Sequence, residues 1–341
     1  MKISFFIPTE QWPTDINRDA PVYRWSDERF GKWNWTLQTF QHLCDHGVAC
    51  QTTTNLEENG IVFAHRSVLP DHYHPTGDQL LVSIQAERVR HPFAQFHLLQ
   101  DPAQAAAFSS TVHSWIDRRL LGSSSRYIRY WPQPGLIPRD PERGDRFETI
   151  AFKGMPQQLA KELQRKSFRT RLQSMGLRWI AQHKKSSWPD YSQIDAVLAV
   201  RTFCPPRFNR KPATKLYNAW LAGVPALLGP ETAFRYEGNA GVDYLEVHSV
   251  DETVERLSHL KTDLALRRQI VQAGVKKAES FTIQRLVDDW QDLIDRHLNP
   301  LYERWRMMSH FQRQRFFDAR SATFASRRLP RRIRPWFDPF L

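Results

Sequence analysis

The chain has 341 residues, of which 41% are hydrophobic and 25% are charged, and its formal net charge is +12. This length is sufficient for two domains with cores of their own, and a 12% share of aromatic residues excludes a disordered or coiled-coil chain. No run of about 18 apolar residues occurs, which excludes a membrane-spanning helix.

The N-terminal third alternates short apolar runs with polar stretches, which predicts a parallel sheet with helical crossovers. Between the first two runs, residues 27–45 place apolar side chains at intervals of three and four, which is helical spacing. The first run reaches Glu10 too soon for a signal peptide and is interpreted as a buried strand. The predicted strands are Ile3–Ile7, Val48–Thr53, Ile61–Ala64, Leu80–Ile84 and Phe96–Leu99.

A proline-rich stretch separates this region from a second one with the same alternation. Residues 131–146 contain four prolines and two glycines, so they can continue neither a helix nor a central strand. We therefore predict an N-terminal domain over 1–135, a linker over 136–147 and a second domain over 148–298. The predicted strands of the second domain are Thr149–Phe152, Leu177–Ile180, Ala196–Val200, Val224–Leu228 and residues 243–247, and its predicted helices are Pro156–Met175, Ala213–Ala222, Asp251–Ala273 and Ile283–Leu298.

This pattern predicts an α/β fold with two Rossmann-like doubly wound domains that face each other across a cleft. A basic, aromatic tail, residues 299–341, follows them. Residues 301–341 hold ten arginines against three acidic residues, together with nine aromatic residues. Such a composition suits an anionic membrane surface, and the alternative is a helix that crosses back over the protein. A nucleic-acid partner is not expected, because no recognition motif accompanies the charge.

The three cysteines, Cys44, Cys50 and Cys204, are too few for a disulfide framework and lack the paired spacing of a zinc site. We therefore expect a reduced, cytoplasmic protein. It would lie on the inner face of the membrane if the tail binds lipid.

The most informative segment is 194–231, in which three cations follow a buried strand. The strand delivers Arg201 to the carboxyl end of the sheet, and a proline-rich loop leads to a helix whose start carries Lys211 and Lys215. Positive charge at a helix start is unfavourable by up to about 1 kcal/mol for each residue, and an anion would remove this penalty. Cations that converge on a helix N-terminus predict a site for phosphate or diphosphate.

The same segment carries its own helix boundaries. Pro212 and Thr214 suit a first helical turn, and Gly223 suits the left-handed residue that ends a helix. Glu231 follows the next strand and is a further candidate for this site, with a solvated carboxylate as the alternative.

The run KPATKLYNAWLAGVPALLGPE, preceded by DAVLAVR, resembles the nucleotide-binding half of GT-B glycosyltransferases over residues 148–297. Within it, ATKLYNAWLAGVP is similar to the donor motif of α1,3-fucosyltransferases. The resemblance implies a nucleoside-diphosphate sugar of the GDP or UDP type, with Lys215 on the diphosphate and Asn218, Gly223 and Glu231 around the donor. Thr214 replaces the usual ribose-binding glutamate. The glutamate pair of many retaining members is also absent, since its positions hold Arg210 and Asn218.

An inverting member also needs a base near the acceptor hydroxyl, at the carboxyl ends of the N-terminal strands. Glu87 and His65 are the leading candidates, and Glu10 and Asp15 follow them. Aromatic residues of the loop 8–24 and its flank could stack on a sugar or form a local core; they are Trp12, Tyr23 and Trp25.

We therefore expect a glycosyltransferase that moves a hexose or deoxyhexose from a nucleoside-diphosphate donor to a glycan or lipid-linked acceptor, in surface polysaccharide synthesis. No Asp-x-Asp motif occurs, so we expect no metal and no resident cofactor. The missing glutamate pair leaves a non-catalytic relative that binds sugar nucleotides or glycans as one alternative. A basic membrane-associated scaffold is the other.

Overall fold

The computed structural model of the chain describes residues 1–12, 30–109, 111–204 and 210–325. The first of two parallel sheets has six strands in the order β2-β1-β3-β4-β5-β6. All its paired strands run in the same direction, and β3 pairs with β4 in a register that joins Gly60 to Gln79. The strands are β1 (Ile3–Phe6), β2 (Gln51–Thr53), β3 (Gly60–His65), β4 (Gln79–Ile84), β5 (Phe96–Leu99) and β6 (Ser125–Tyr127).

The second sheet has five parallel strands in the order β11-β10-β9-β7-β8. Its central strand β9 is fully buried and consists of small and branched apolar residues, as expected for a strand covered on both faces. The strands are β7 (Thr149–Lys153), β8 (Arg178–Gln182), β9 (Ala196–Ala199), β10 (Ala226–Leu228) and β11 (Leu245–Glu246).

The strand order of each sheet reverses at its first strand. The strand β1 lies between β2 and β3, and β7 lies between β8 and β9. A reversal of this kind opens a crevice at the carboxyl ends of the strands, where open α/β sheets bind ligands. Residues that follow both reversals line one common cleft. The predicted fold class, two doubly wound α/β domains across a cleft, is confirmed.

Thirteen α-helices lie within the described residues, and a π-helical turn over Ile294–Leu298 joins α11 to α12. None of the helices that the structure describes is long and apolar enough to cross a bilayer. The helices are α1 (Phe30–Trp35), α2 (Leu37–Asp45), α3 (Pro102–Ser109), α4 (Val112–Leu121), α5 (Lys161–Gln164), α6 (Lys166–Ser174), α7 (Thr214–Ala222), α8 (Thr232–Glu237), α9 (Val250–Thr262), α10 (Leu264–Ala278), α11 (Ile283–Leu293), α12 (Asn299–Met307) and α13 (His310–Ala325).

Two predicted helices were wrong in extent. The helix predicted over Pro156–Met175 is divided into α5 and α6 at Arg165, which has extended backbone with ψ 148°. The helix predicted over Asp251–Ala273 is divided into α9 and α10 at Asp263. There the carboxylate of Asp263 accepts a hydrogen bond of 2.9 Å from the N–H of Leu266 and caps the second helix.

The linker region is held to the second sheet by one buried carboxylate. Asp195 precedes β9 and pairs with Arg139 at 2.9 Å and with Arg143 at 2.7 Å. Its carboxylate also accepts hydrogen bonds of 2.9 Å from the N–H groups of Glu148 and Thr149, where β7 begins. The proline-rich stretch is therefore fixed against the sheet. The domain boundaries that we placed around it stay predictions.

The helices α12 and α13 return to the N-terminal sheet. The Tyr302 hydroxyl accepts a hydrogen bond of 3.2 Å from the N–H of Gly60, and the Trp305 indole donates one of 2.8 Å to the carbonyl of Thr76. Residues 299–325 therefore follow the crossover alternative, while residues 326–341 of the predicted tail lie outside the described residues.

A buried ion pair fixes the end of this crossover. The Arg320 guanidinium on α13 pairs with the Asp117 carboxylate on α4, and the two side chains are 1% and 0% exposed. Arg90 lies 3.7 Å from the same carboxylate and is also fully buried. Removing one partner of a buried pair leaves a charge without water or a counter-ion, which is strongly destabilising.

We therefore expect Arg320→Ala to lower the free energy of unfolding by about 3 kcal/mol, the low end of the range for buried pairs because Arg90 remains. Urea denaturation of this variant and of Arg315→Ala, at an exposed position of the same helix, measures the effect. Equal stability of the two variants would show that α13 is not fastened by this pair.

Candidate functional site

A cleft of about 360 Å³ lies between the carboxyl ends of the two sheets. Its N-terminal wall includes residues of α1, the last residue of β3 and residues that follow β4. Its C-terminal wall includes the start of α7 and residues that follow β7, β8 and β9. The structure brings six of the predicted site residues to this cleft: His65, Glu87, Arg201, Thr214, Lys215 and Asn218.

The helix α7 directs its N-terminus into the cleft. Its first intrahelical bonds run from the N–H groups of Leu216 and Tyr217 to the carbonyl of Ala213, at 2.9 and 3.1 Å. The N–H groups of Thr214 and Lys215 precede these bonds and are the donors that a helix start offers to an anion.

Lys215 is the central cation of the cleft. Its ammonium donates a hydrogen bond to the carbonyl of Lys153, the last residue of β7, and stands 4.9 Å from the ring centre of Phe152. A Cβ on Gly154 would lie 2.9 Å from the same nitrogen, so the glycine leaves room for this approach. Burial, reinforced by the cations Arg201 and Lys211, lowers the pKa of Lys215 to about 7. The amine is thus only partly protonated at neutral pH, and a nearby anion would favour its charged form.

Arg201 and Glu231 form a buried pair behind the cleft surface. The guanidinium of Arg201 pairs with the Glu231 carboxylate, and the two side chains are 12% and 2% exposed. Burial raises the pKa of Glu231, although Arg201 and the nearby lysines oppose this. Glu231 is buried, so the alternative of a solvated carboxylate is wrong. It is not among the residues that line the cleft, and its role at the donor stays a prediction. The carboxylate holds Arg201, which does line the cleft.

Lys211 and Glu87 form an ion pair across the cleft. The Glu87 side chain is 48% exposed and that of Lys211 is 19% exposed. Glu87 follows Ala86, which has φ 47° and is the only described residue other than glycine with a positive φ. Strained backbone of this kind concentrates at functional sites, and here it places Glu87 at the cleft wall. For Glu87 to act as a base, its carboxylate would have to leave Lys211.

His65 is held as a neutral ring. Burial, with the cations Lys32, Arg88 and Arg66 nearby, lowers the pKa of His65 to about 3. Its Nδ1 accepts a hydrogen bond of 3.2 Å from the N–H of Ser67, which assigns the ring proton to Nε2. A neutral imidazole with this tautomer is suited to donate a hydrogen bond into the cleft and is a weak base.

The remaining predicted donor residues of α7 lie at different depths. Asn218 is buried at the base of the cleft, where its side-chain oxygen accepts a hydrogen bond of 3.2 Å from the N–H of Gln133. Gly223 does not reach the cleft. It ends α7 with φ 66°, about 13 Å from the first turn at 1.5 Å per residue, and it lines a separate cavity.

Sequence reasoning missed Lys153, which organises the C-terminal wall. Burial lowers the pKa of Lys153 to about 8. Its ammonium donates hydrogen bonds to the side-chain oxygen of Gln182 at 2.5 Å, to the carbonyl of Ser187 at 2.9 Å and to the carbonyl of Asp190. These bonds fix the loop after β8, which brings Lys185 and Trp188 to the cleft. The only signal was a lysine at the end of a buried strand.

The other acceptor-side predictions concern residues that follow β1. Trp12 packs with Ile7, Trp33 and Leu37 in a small apolar cluster, which is the local-core alternative. Glu10 lies in a short 3-10 turn over Thr9–Gln11. Three of the predicted residues lie outside the described ones: Asp15, Tyr23 and Trp25. Within residues 1–12, 30–109, 111–204 and 210–325, no group of three or more histidine, cysteine or acidic side chains could hold a metal ion.

The lowered pKa of Lys215 predicts a pH-dependent affinity for diphosphates. A diphosphate beside the amine would raise its pKa, so binding takes up a proton wherever the free amine is neutral. The affinity for a nucleoside-diphosphate sugar should therefore be constant below about pH 6.5. It should then fall by up to about tenfold per unit between pH 7 and 8.5.

Calorimetric titration across this pH range measures the effect, with Lys215→Arg as the matched control. Arginine keeps its charge, so its profile should be flat. A parent profile that is flat as well would contradict the proposed state of Lys215.

No family model matches the chain, and no curated protein matches it. Among solved structures, HepE of Anabaena in complex with UDP and glucose is 10% identical and has a TM-score of 0.49, covering 87% of this chain and 100% of its own. AviGT4, a glycosyltransferase involved in avilamycin A biosynthesis, is 12% identical with a TM-score of 0.48 and covers 89% and 98%. Sucrose-phosphate synthase from Thermosynechococcus elongatus is 10% identical with a TM-score of 0.45 and covers 70% and 74%. At this distance none of them assigns a role to a residue of this chain.

Proposed function

We propose that the chain is a glycosyltransferase that uses a nucleoside-diphosphate sugar of the GDP or UDP type. The observation that carries the proposal is the enclosed ammonium of Lys215, held beside a helix N-terminus at the strand-order reversal of the second sheet. This arrangement supports the binding of a diphosphate. The facing crevice of the first sheet leaves space for the second substrate.

The reaction would break the bond between the sugar C1 and the diphosphate oxygen, and the diphosphate would leave with the bonding electron pair. Lys215, Arg201 and the first N–H groups of α7 would stabilise the charge that develops on this leaving group. An acceptor hydroxyl oxygen would form the new bond to C1, and its proton would pass to a base. Glu87 is the described carboxylate that lines the cleft.

One observation favours a second candidate function. Glu87 is paired with Lys211, and His65 is a weak base, so neither of the two leading candidate bases is ready to accept a proton in this conformation. A non-catalytic relative that binds a sugar nucleotide or glycan would share the donor site and lack turnover. The two functions differ in the release of nucleoside diphosphate, and both require donor binding.

The finer predictions stay proposals of the same kind. They are hexosyl or deoxyhexosyl transfer, a glycan or lipid-linked acceptor, a role in surface polysaccharide synthesis, and no resident cofactor. Association with an anionic membrane surface is supported by the exposed side chains of Met307 and Phe311, which are 85% and 68% exposed on the arginine-rich crossover.

A panel of UDP and GDP sugars, monitored for nucleoside-diphosphate release with a mixed glycan acceptor pool, tests the proposal. Lys215→Ala should remove about 2–4 kcal/mol of transition-state stabilisation, with little change in melting temperature. Arg201→Lys should lower turnover by more than threefold, because lysine lacks the planar fork of N–H donors. Arg201→Lys keeps a cation beside the buried Glu231. Donor binding without release by the parent would favour the non-catalytic candidate, and turnover within threefold of the parent in both variants would exclude this donor site.

We also predict that turnover does not need a divalent metal, because Lys215 and Arg201 supply the positive charge that a metal would otherwise supply to the diphosphate. Turnover should be unchanged within about twofold after dialysis against excess chelator. Turnover that is abolished by the chelator and restored by magnesium or manganese would refute this prediction.

A further inference from the structure

The C-terminal domain carries an exposed basic strip beside the cleft. Residues 161–185 contain eight lysines and arginines and only one acidic residue, Glu162. Seven of these cations are exposed: Lys161, Arg165, Lys166, Arg169, Arg171, Arg178 and Lys184. The eighth, Lys185, lines the cleft itself. The basic strip is therefore continuous with the proposed active site.

The secondary structure places part of this charge at one edge of the sheet. The strand β8 is the edge strand, and α6 packs beside it. Arg169 and Arg178 line a shallow groove at the amino end of β8, while Lys184 and Lys185 follow its carboxyl end. The path from Arg178 to Lys184 spans about 20 Å at 3.3 Å per residue.

Within the described residues, most of this charge has no carboxylate at salt-bridge distance, although Glu148 lines the same groove as Arg169 and Arg178. Arg171 pairs with Asp251 at 2.6 Å, whereas no carboxylate lies within salt-bridge distance of Arg165, Lys166 or Arg169. These three side chains lie on the first turns of α6, where positive charge also opposes the helix dipole. A row of like charges in such a place is unfavourable by itself and creates a field that attracts an extended anion.

We propose that the basic strip binds an anionic glycan, the carboxylated or phosphorylated acceptor chain of the transfer reaction. This inference rests on the proposed glycosyltransferase function. The strip leads out of the cleft through Lys185, so a chain whose end lies in the cleft would extend along it. None of the exposed large apolar side chains of the described residues lies within 161–185, which favours a soluble polyanion over a membrane surface.

The test compares two charge-reversed variants of the full chain. The first carries Arg165→Glu, Lys166→Glu and Arg169→Glu. The control carries Lys276→Glu, Arg296→Glu and Arg315→Glu, which changes the net charge equally at exposed positions elsewhere. The probes are an oligogalacturonate, a neutral maltooligosaccharide of the same length and vesicles that contain phosphatidylglycerol. Melting curves verify that both variants fold.

The parent should bind the oligogalacturonate more weakly at high salt and should not bind the neutral oligosaccharide. The strip variant should lose about tenfold or more in affinity, and the control should stay within about twofold. Equal losses in both variants would overturn the proposal, since net charge alone would then explain binding. Strip-dependent binding to the vesicles without binding to the oligogalacturonate would overturn it in favour of a membrane surface.

Donor binding is measured in parallel and separates this inference from the proposed function. The strip variant should bind a nucleoside-diphosphate sugar as the parent does, because Lys215 and Arg201 are unchanged. Loss of oligogalacturonate binding with intact donor binding supports the strip. A parent that binds the oligogalacturonate but no sugar nucleotide would refute the donor site. It would also refute the role of the basic strip as the binding surface for the acceptor chain.

Discussion

The proposed chemistry depends on keeping the ammonium of Lys215 in a poorly hydrated place beside two other cations. Burial and the neighbouring charges of Arg201 and Lys211 both oppose its protonation. The fold tolerates this because the carbonyl of Lys153 accepts a hydrogen bond from the amine, and because Glu231 pairs with Arg201. An anion beside the amine would favour its charged form, and a diphosphate would supply that negative charge.

The two sheets make this arrangement possible. Parallel strands place their carboxyl ends at one edge of the sheet. Residues that are distant in sequence therefore lie close together at that edge. Lys153 ends β7, Arg201 follows β9 and Lys215 begins α7, and all three line the same wall. On the other side, the crossover of α12 and α13 fastens the C-terminal helices to the N-terminal α/β region, through Trp305 to the carbonyl of Thr76 and through Arg320 to Asp117 on α4. The cleft is thus bounded by two sheets that the end of the chain holds together.

The elements that could be predicted from the sequence are those with a local sequence signal. The helix α7 has a proline before its start and a left-handed Gly223 at its end, and the buried strands β3, β4 and β9 are short apolar runs. The strand β6 was missed because Ser125–Tyr127 is a three-residue edge strand without an apolar run. The break at Asp263 was missed because the apolar spacing of α9 and α10 continues through it.

Several residues of the candidate site could be predicted from the sequence, whereas the contacts between them could not. The convergence of Arg201, Thr214 and Lys215 followed from a strand end and a helix start, whereas Asn218 was implied by the resemblance alone. The pairing of Glu87 with Lys211 could not be predicted, since it depends on the separation of the two domains. The role of Lys153 was hidden for a similar reason. Its partners are oxygen atoms of Gln182, Ser187 and Asp190, which lie 29, 34 and 37 residues further along the chain, and no sequence pattern predicts these contacts.

A crystal structure of the chain with a bound nucleoside diphosphate is the decisive test of the role of Lys215. We expect a diphosphate oxygen within about 2.7–3.1 Å of Lys215 Nζ, with the N–H groups of Thr214 and Lys215 directed at the same group. A nucleotide bound elsewhere, with the Lys215 amine still on the carbonyl of Lys153, would contradict it.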